Sequence, residues 1–122
     1  MKFQQRLEKL GFSSYAEYLR SPHWKAMREK YIATSKYKGR KLRNKCAICG
    51  TRENLDLHHT TYLRLGWESL KDLIFLCRTH HYQLHQLPPQ KSPPFKSRVN
   101  VLRAIYKKEK WLKKQEHENL NN

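Results

Sequence analysis

Acidic side chains are scarce in this chain. Ten Asp and Glu face 26 Lys and Arg among 122 residues, for a formal net charge of +16 with histidine neutral. That excess goes far beyond what solubility requires and implies a polyanionic partner, although charge alone does not separate DNA from RNA. Cysteine is sparse as well: three residues, an odd number, two of them in C-x-x-C spacing at Cys46 and Cys49. Such usage argues against a secreted disulfide framework and for thiolate ligands in a reducing compartment. No apolar stretch approaches the ~18 residues of a membrane span, and the opening "MKFQQRLEKL" has no uninterrupted apolar run, so a soluble, cytoplasmic protein without a membrane partner is expected. Internal repeats are absent. With 38 % hydrophobic residues in a chain of this length, one domain with a small core is expected, and a structural metal would staple it.

That single domain, 1–122, divides into four stretches. Residues 1–45 read as helical and basic. Phe3, Leu7 and Leu10 keep helical spacing up to Gly11, and Ser14 with Glu17 forms a capping box for a short helix. Ser21 caps a longer helix that starts at Pro22 and carries Trp24, Met27, Arg28 and Tyr31 on one face. Between Lys25 and Lys45 nine Lys and Arg accompany a single Glu, and the end of that run, "KYKGRKLRNK", reads as a basic loop. In residues 46–87, "CAICG" makes a tight turn, "LDLHH" alternates like a strand, "TTYLRLGWESLK" is a loop and "LIFLC" is a buried strand. "RTHHYQLHQL" then reads as a helix stopped by Pro88 and Pro89. Residues 88–95 form a proline-rich linker. Residues 96–122 hold a basic amphipathic helix that docks through Val101, Leu102, Ile105 and Leu112, followed by a frayed tail in "QEHENLNN". Helices and short strands together make the class α+β.

Zinc in a structural site takes four tetrahedral ligands, usually as two close pairs. Cys46 and Cys49 are one pair. Cys77 and His80, in C-x-x-H spacing, are the other, and the set uses every cysteine in the chain. Two histidines of the same helix are left over. At ~100° per residue His80 and His81 point apart, whereas His81 and His85, four apart, share a face. The other dense pair is His58-His59 on the predicted strand, where neighbours point to opposite sides, so one of the two can join His81 at a second metal while the other stays available. A metal held by two or three imidazoles with open positions polarises a phosphodiester oxygen, and a neutral histidine beside it takes a proton from water.

"CAIC", "LDLHHTTY" and "DLIFLCRTHHYQLH", in that order and preceded by "YLRSPHWKAMR", resemble the HNH endonucleases of the ββα-metal class, in particular small bacterial and phage members, over roughly residues 15–87. The resemblance implies a ββα-metal core, a hairpin and a helix clamped over a catalytic metal, stapled by the four-ligand zinc knuckle. The N-terminal helices and the basic C-terminal helix would flank it. By the same resemblance His59 is the general base, and His58, His81 and His85 hold the catalytic metal. Asp72 stands at the family's central asparagine, which tethers the loop that orients the base. Aspartate departs from the family pattern: it accepts hydrogen bonds from the loop backbone or from His59 but, when ionised, donates none.

The activity implied is hydrolysis of DNA, double-stranded by expectation, in a bacterial cell or phage-infected host, leaving 5′-phosphate and 3′-hydroxyl ends. Imidazole ligands favour manganese, nickel or zinc over magnesium at the catalytic metal. Phosphate contacts are expected from Arg40, Lys41 and Arg43 in the basic loop, from Arg78 on the histidine helix, and from Arg103, Lys107 and Lys110 on the C-terminal helix, with affinity that falls steeply with salt. One active site per chain suits a monomeric nickase or a homodimer that cuts both strands. The competing reading is a zinc-stapled nucleic-acid-binding module without catalysis; an RNA-directed protein is the third.

Overall fold

Serine punctuation builds the N-terminal helices of the computed structural model, which describes residues 2–90 and 97–120. Helix α1 spans Phe3–Lys9, α2 Tyr15–Leu19 and α3 Pro22–Ala33. Ser14 Oγ accepts the Glu17 N–H at 3.1 Å and Ser21 Oγ the Trp24 N–H at 3.2 Å, each satisfying a first-turn donor that has no partner inside its helix. The other half of the expected capping box shifts by one residue. Glu17 accepts from the backbone N–H and the hydroxyl of Ser13, two donors converging on one carboxylate oxygen, instead of from the Ser14 N–H.

The basic stretch expected as a loop contains a β-hairpin. Strands β1 (Lys36–Tyr37) and β2 (Arg40–Lys41) pair antiparallel, with Lys36 opposite Lys41 and Tyr37 opposite Arg40. Lys38 and Gly39 turn the corner at φ of 48° and 80°, the two left-handed residues that a tight hairpin turn demands. Almost none of the hairpin is buried, so it carries no apolar alternation to betray it. Arg40 ties it down by donating to the carbonyls of Lys71 at 3.0 Å and Leu73 at 3.4 Å.

Two further strands carry the motif region. Strand β3 covers Leu55–His59 and β4 covers Leu73–Cys77, and the two pair. At one end the Thr60 N–H bonds the Asp72 carbonyl, and at the other the Arg78 N–H bonds the Asn54 carbonyl, an antiparallel arrangement. Along β3 burial alternates: Leu57 and His59 are buried, Asp56 and His58 half-buried. Strand β4 is buried along its whole length, which accounts for its unbroken apolar run. A 3-10 turn at Leu70–Asp72 leads into β4, and helix α4, Arg78–Gln86, follows it directly with Cys77 as N-cap. Helix α5 spans Arg98–Leu120, so the tail expected to fray is helical to Leu120.

The chain forms two compact units, passing between them after Asn44 and again within β3 and within β4. One unit comprises Met1–Asn44 and Leu57–Phe75, and its buried side chains include Leu7, Tyr18, Tyr31, Leu65, Leu73 and Phe75. The other comprises Lys45–Asp56 and Leu76–Asn122, with Cys46, Leu76, Cys77, Leu84 and Leu102 buried. Within this second unit α5 meets α4 through its first turns: Leu102 is buried, whereas Ile105 and Leu112, expected on the docking side, are 39 % and 43 % exposed. The linker expected at 88–95 lies outside the described residues from 91 onward. No helix among the described residues is long and apolar enough to cross a membrane.

Candidate functional site

The second unit holds a cluster of three thiols and an imidazole. Cys46 and Cys49 come from the turn before β3, Cys77 ends β4 and His80 sits on the first turn of α4; their ligand atoms all lie within 4.8 Å of one another. Cys49 Sγ is 4.0 Å from Cys77 Sγ, and His80 Nδ1 is 3.2 Å from Cys77 Sγ and 3.8 Å from Cys46 Sγ. A tetrahedron with ~2.3 Å metal–sulfur bonds has edges of ~3.8 Å, so this donor set fits a zinc ion. The knuckle is shaped locally: the Gly50 N–H returns to the Cys46 carbonyl at 2.9 Å and the Cys46 N–H takes the Thr51 carbonyl at 2.8 Å. Burial pushes the Cys46 thiol up, but backbone N–H groups of Cys77, Cys49 and Ile48, together with the His80 ring, bring it down to about 6. Burial and the neighbouring Cys46 and Cys49 sulfurs push Cys77 up to about 11. A divalent cation removes this conflict by holding all three as thiolates.

Helix α5 braces the cluster. Arg103 Nε donates to the Ala47 carbonyl in the knuckle at 2.9 Å, and the Tyr106 ring meets the His80 ring edge-on at 5.3 Å.

A second group of donors lies on the opposite face of α4. His81 Nε2 and His85 Nε2 are 3.1 Å apart, and His81 Nδ1 is 3.2 Å from the Asp56 carboxylate. An ionised carboxylate only accepts, so His81 donates to Asp56 through Nδ1 and turns Nε2 toward His85. Burial, then the charge of His81 and of Arg98, lowers the pKa of His85. A carboxylate behind an imidazole whose other nitrogen looks outward is the arrangement metal-binding histidines adopt. His58 stands on β3 in the first unit, two residues from Asp56 and therefore on the same face of the strand.

His59 lies elsewhere, on the buried face of β3 and only 3 % exposed. Its Nε2 is 2.8 Å from Glu68 Oε2, its Nδ1 is 2.7 Å from the Tyr15 hydroxyl, and its ring stacks on Trp24 with centroids 4.4 Å apart. Both ring nitrogens are thus engaged. Glu68 also accepts from the Tyr18 hydroxyl, His23 Nε2 and the Gly66 N–H. Burial pushes the Glu68 carboxyl up, but the hydrogen bonds from His59, Tyr18 and His23 prevail and hold it at about 2. Gly66 can present its N–H there because its φ of 97° suits glycine, and any Cβ would lie 2.8 Å from the Leu10 side chain. Glu68 escaped the sequence analysis, since "TTYLRLGWESLK" has no period and offers only one weak signal, an acidic residue in a chain with few; Tyr15, Tyr18 and His23, on α2 and α3, escaped it too, since no spacing links those helices to Glu68.

The Asp72 carboxylate bonds other groups than His59. Its carboxylate pairs with the Arg64 guanidinium, accepting from Nε at 2.8 Å and also from a terminal nitrogen, and takes the Ser69 N–H at 3.0 Å. Arg64 holds the Asp72 carboxyl below the usual carboxylate range. The Asp72 carbonyl accepts the backbone N–H and the hydroxyl of Thr60, at 2.7 and 2.9 Å. Residues 60–72 are therefore closed into a loop by one residue. Of the residues expected on phosphates, Lys41, Arg43, Arg78, Lys107 and Lys110 are exposed, whereas Arg40 and Arg103 donate to carbonyls of the protein itself.

Comparison with protein-family models, with curated proteins and with solved structures finds no match for this chain.

Proposed function

We propose that this protein is a metal-dependent endonuclease of the HNH type that hydrolyses DNA phosphodiester bonds, with a zinc ion at Cys46, Cys49, Cys77 and His80 as its structural support. The observation that carries the reading is the His81–His85 pair on α4 with Asp56 of β3 behind it, a carboxylate-oriented imidazole aimed at a second imidazole. By the family resemblance His58, on the Asp56 face of β3, is a further proposed metal ligand. The order strand, strand, helix in β3, β4 and α4 supports a ββα-metal core. A divalent transition metal bound by these imidazoles would polarise a phosphoryl oxygen. His59 is the proposed general base, Asp72 holds the loop beside it, and the exposed Lys and Arg supply affinity for the polyanion.

A zinc-stapled nucleic-acid-binding module without catalysis is the second reading, and the engagement of both His59 nitrogens favours it. Supercoiled plasmid separates the two. Protein that keeps its zinc but has lost loosely held metal is given manganese, nickel, zinc or magnesium in turn. The endonuclease nicks with one of the first three, and His81→Ala abolishes nicking while zinc content stays unchanged. Salt-sensitive plasmid binding with no nicking under any metal decides for the binding module.

A further inference from the structure

Apart from the metal-ligand groups, the densest polar constellation among the described residues is the buried one around Glu68 in the first unit. Four groups converge on this carboxylate: His23 Nε2 at 2.8 Å and the Gly66 N–H at 3.1 Å on Oε1, and His59 Nε2 at 2.8 Å with the Tyr18 hydroxyl on Oε2. Its side chain is 1 % exposed, so solvent does not compete for these bonds. An ionised carboxylate has no proton to give, so His59 must donate through Nε2. On the far side of the ring Nδ1 meets the Tyr15 hydroxyl at 2.7 Å. In a neutral ring whose Nε2 carries the proton, Nδ1 is the acceptor, and the Tyr15 hydroxyl, kept protonated by burial and bonded to Tyr62 as well, is its donor. Stacking on Trp24 fixes the plane in which both bonds lie.

We infer that Glu68 is a positioning residue that fixes His59 as the Nε2-protonated tautomer, leaving Nδ1 as the basic nitrogen, and that the Tyr15 hydroxyl occupies the place of the attacking water. This rests on the reading of His59 as general base. In the reaction a water molecule replaces the Tyr15 hydroxyl at Nδ1. As its oxygen forms the bond to phosphorus, its proton passes to Nδ1, the bond from phosphorus to the 3′-oxygen breaks, and solvent protonates that oxygen. The imidazolium so formed faces the Glu68 carboxylate, which stabilises it.

Two substitutions together make this testable. The Gly66 N–H lies 3.1 Å from both Glu68 Oε1 and the Tyr18 hydroxyl, so Glu68→Gln alone can enter in either orientation; with Tyr18→Phe as well, the carbonyl oxygen of the new amide must face that N–H. The amide N–H₂ then points at His59 Nε2, which must now accept. The proton of His59 is forced onto Nδ1, where it donates to Tyr15 and can take no proton from water.

The experiment reads the His59 tautomer by nitrogen-resolved NMR on the full chain and, in parallel, plasmid nicking with manganese. Wild type and Tyr18→Phe carry the proton on Nε2; Tyr18→Phe/Glu68→Gln carries it on Nδ1, with kcat down about 100-fold or more relative to Tyr18→Phe and with KM for plasmid and zinc content unchanged. Tyr15→Phe keeps the ring contacts with Phe3 and Tyr62 and nicks at least as fast as wild type, since it vacates the water's place. An unchanged tautomer in Tyr18→Phe/Glu68→Gln, or a loss in Tyr15→Phe as large as that in the double variant, overturns the inference. Should wild type nick with none of the metals, the nuclease reading fails separately, and the tautomer shift in the double variant alone then supports or overturns the positioning role.

Discussion

His81 and His85 hold their Nε2 atoms 3.1 Å apart on one face of α4. Asp56 accepts from His81 Nδ1 and so turns Nε2 toward His85, where a cation held between the two Nε2 atoms would join them. Substituting Asp56 removes the group that decides which nitrogen of His81 looks outward. Asp56→Asn is expected to weaken nickel or manganese binding by about 10- to 100-fold, measured by calorimetry on zinc-loaded protein. An unchanged affinity would show that the pair binds no metal through His81.

Zinc should be released only under strong chelation, and its loss should unfold the second unit first. Cys49 is half-buried, so Cys49→Ser tests the site with little cavity cost. The variant is expected to lose zinc and to be destabilised by about 4 kcal/mol or more, a magnitude reached when a substitution removes a metal. Metal content by mass spectrometry and the midpoint of thermal unfolding check both halves; retained zinc in Cys49→Ser would argue against a four-ligand site.

Acid should strip stability from the Glu68 network in a defined window. Folding lowers its pKa from 4.5 to about 2, so the folded state favours the ionised form. The stabilisation is fully present above about 4.5 and drains away as pH falls toward about 2. A shift of that size corresponds to on the order of 3 kcal/mol. Urea unfolding of wild type and Glu68→Gln should therefore differ by about that much at neutral pH and converge as the medium is acidified; parallel curves at every pH would refute the assignment.

Among the basic residues, the structure separates two behaviours. Lys107 and Lys110 are exposed on α5, so Lys107→Ala or Lys110→Ala should leave stability unchanged. Under the proposed DNA-binding role each should also lower the slope of log affinity against log salt by about 1. Arg103 is bonded to the Ala47 carbonyl at the knuckle. Arg103→Ala should therefore lower the thermal midpoint, an effect of about 1–3 kcal/mol for a lost charged hydrogen bond. Fluorescence titrations across salt, paired with melting curves, distinguish them.

Where a signal was local, the sequence carried it. Ser14 and Ser21 cap helices because an N-cap needs only residues two or three further on, and "LIFLC" is a strand buried on all sides because its apolar run admits little else. The hairpin at Lys36–Lys41 was not legible: pairs of two residues, exposed and cationic, leave no period, and only the positive φ of Lys38 and Gly39 defines the turn. Helix α5 runs past its expected fraying point, for tertiary contacts anchor its first turns and nothing in "QEHENL" breaks it.

The sequence by itself determined which atoms can bind metal and how they group along the chain. Two-residue gaps bring Cys46 with Cys49 and Cys77 with His80, and a four-residue gap puts His81 beside His85, because turns and helices convert spacing directly into proximity. Tertiary structure alone decided the environment of His59. Its partners Tyr15 and Glu68 lie 44 residues before it and nine after it. No periodicity links such positions; only the packing of α2, α3 and the 60–72 loop around the buried face of β3 closes the carboxylate, the imidazole and the phenol into one network.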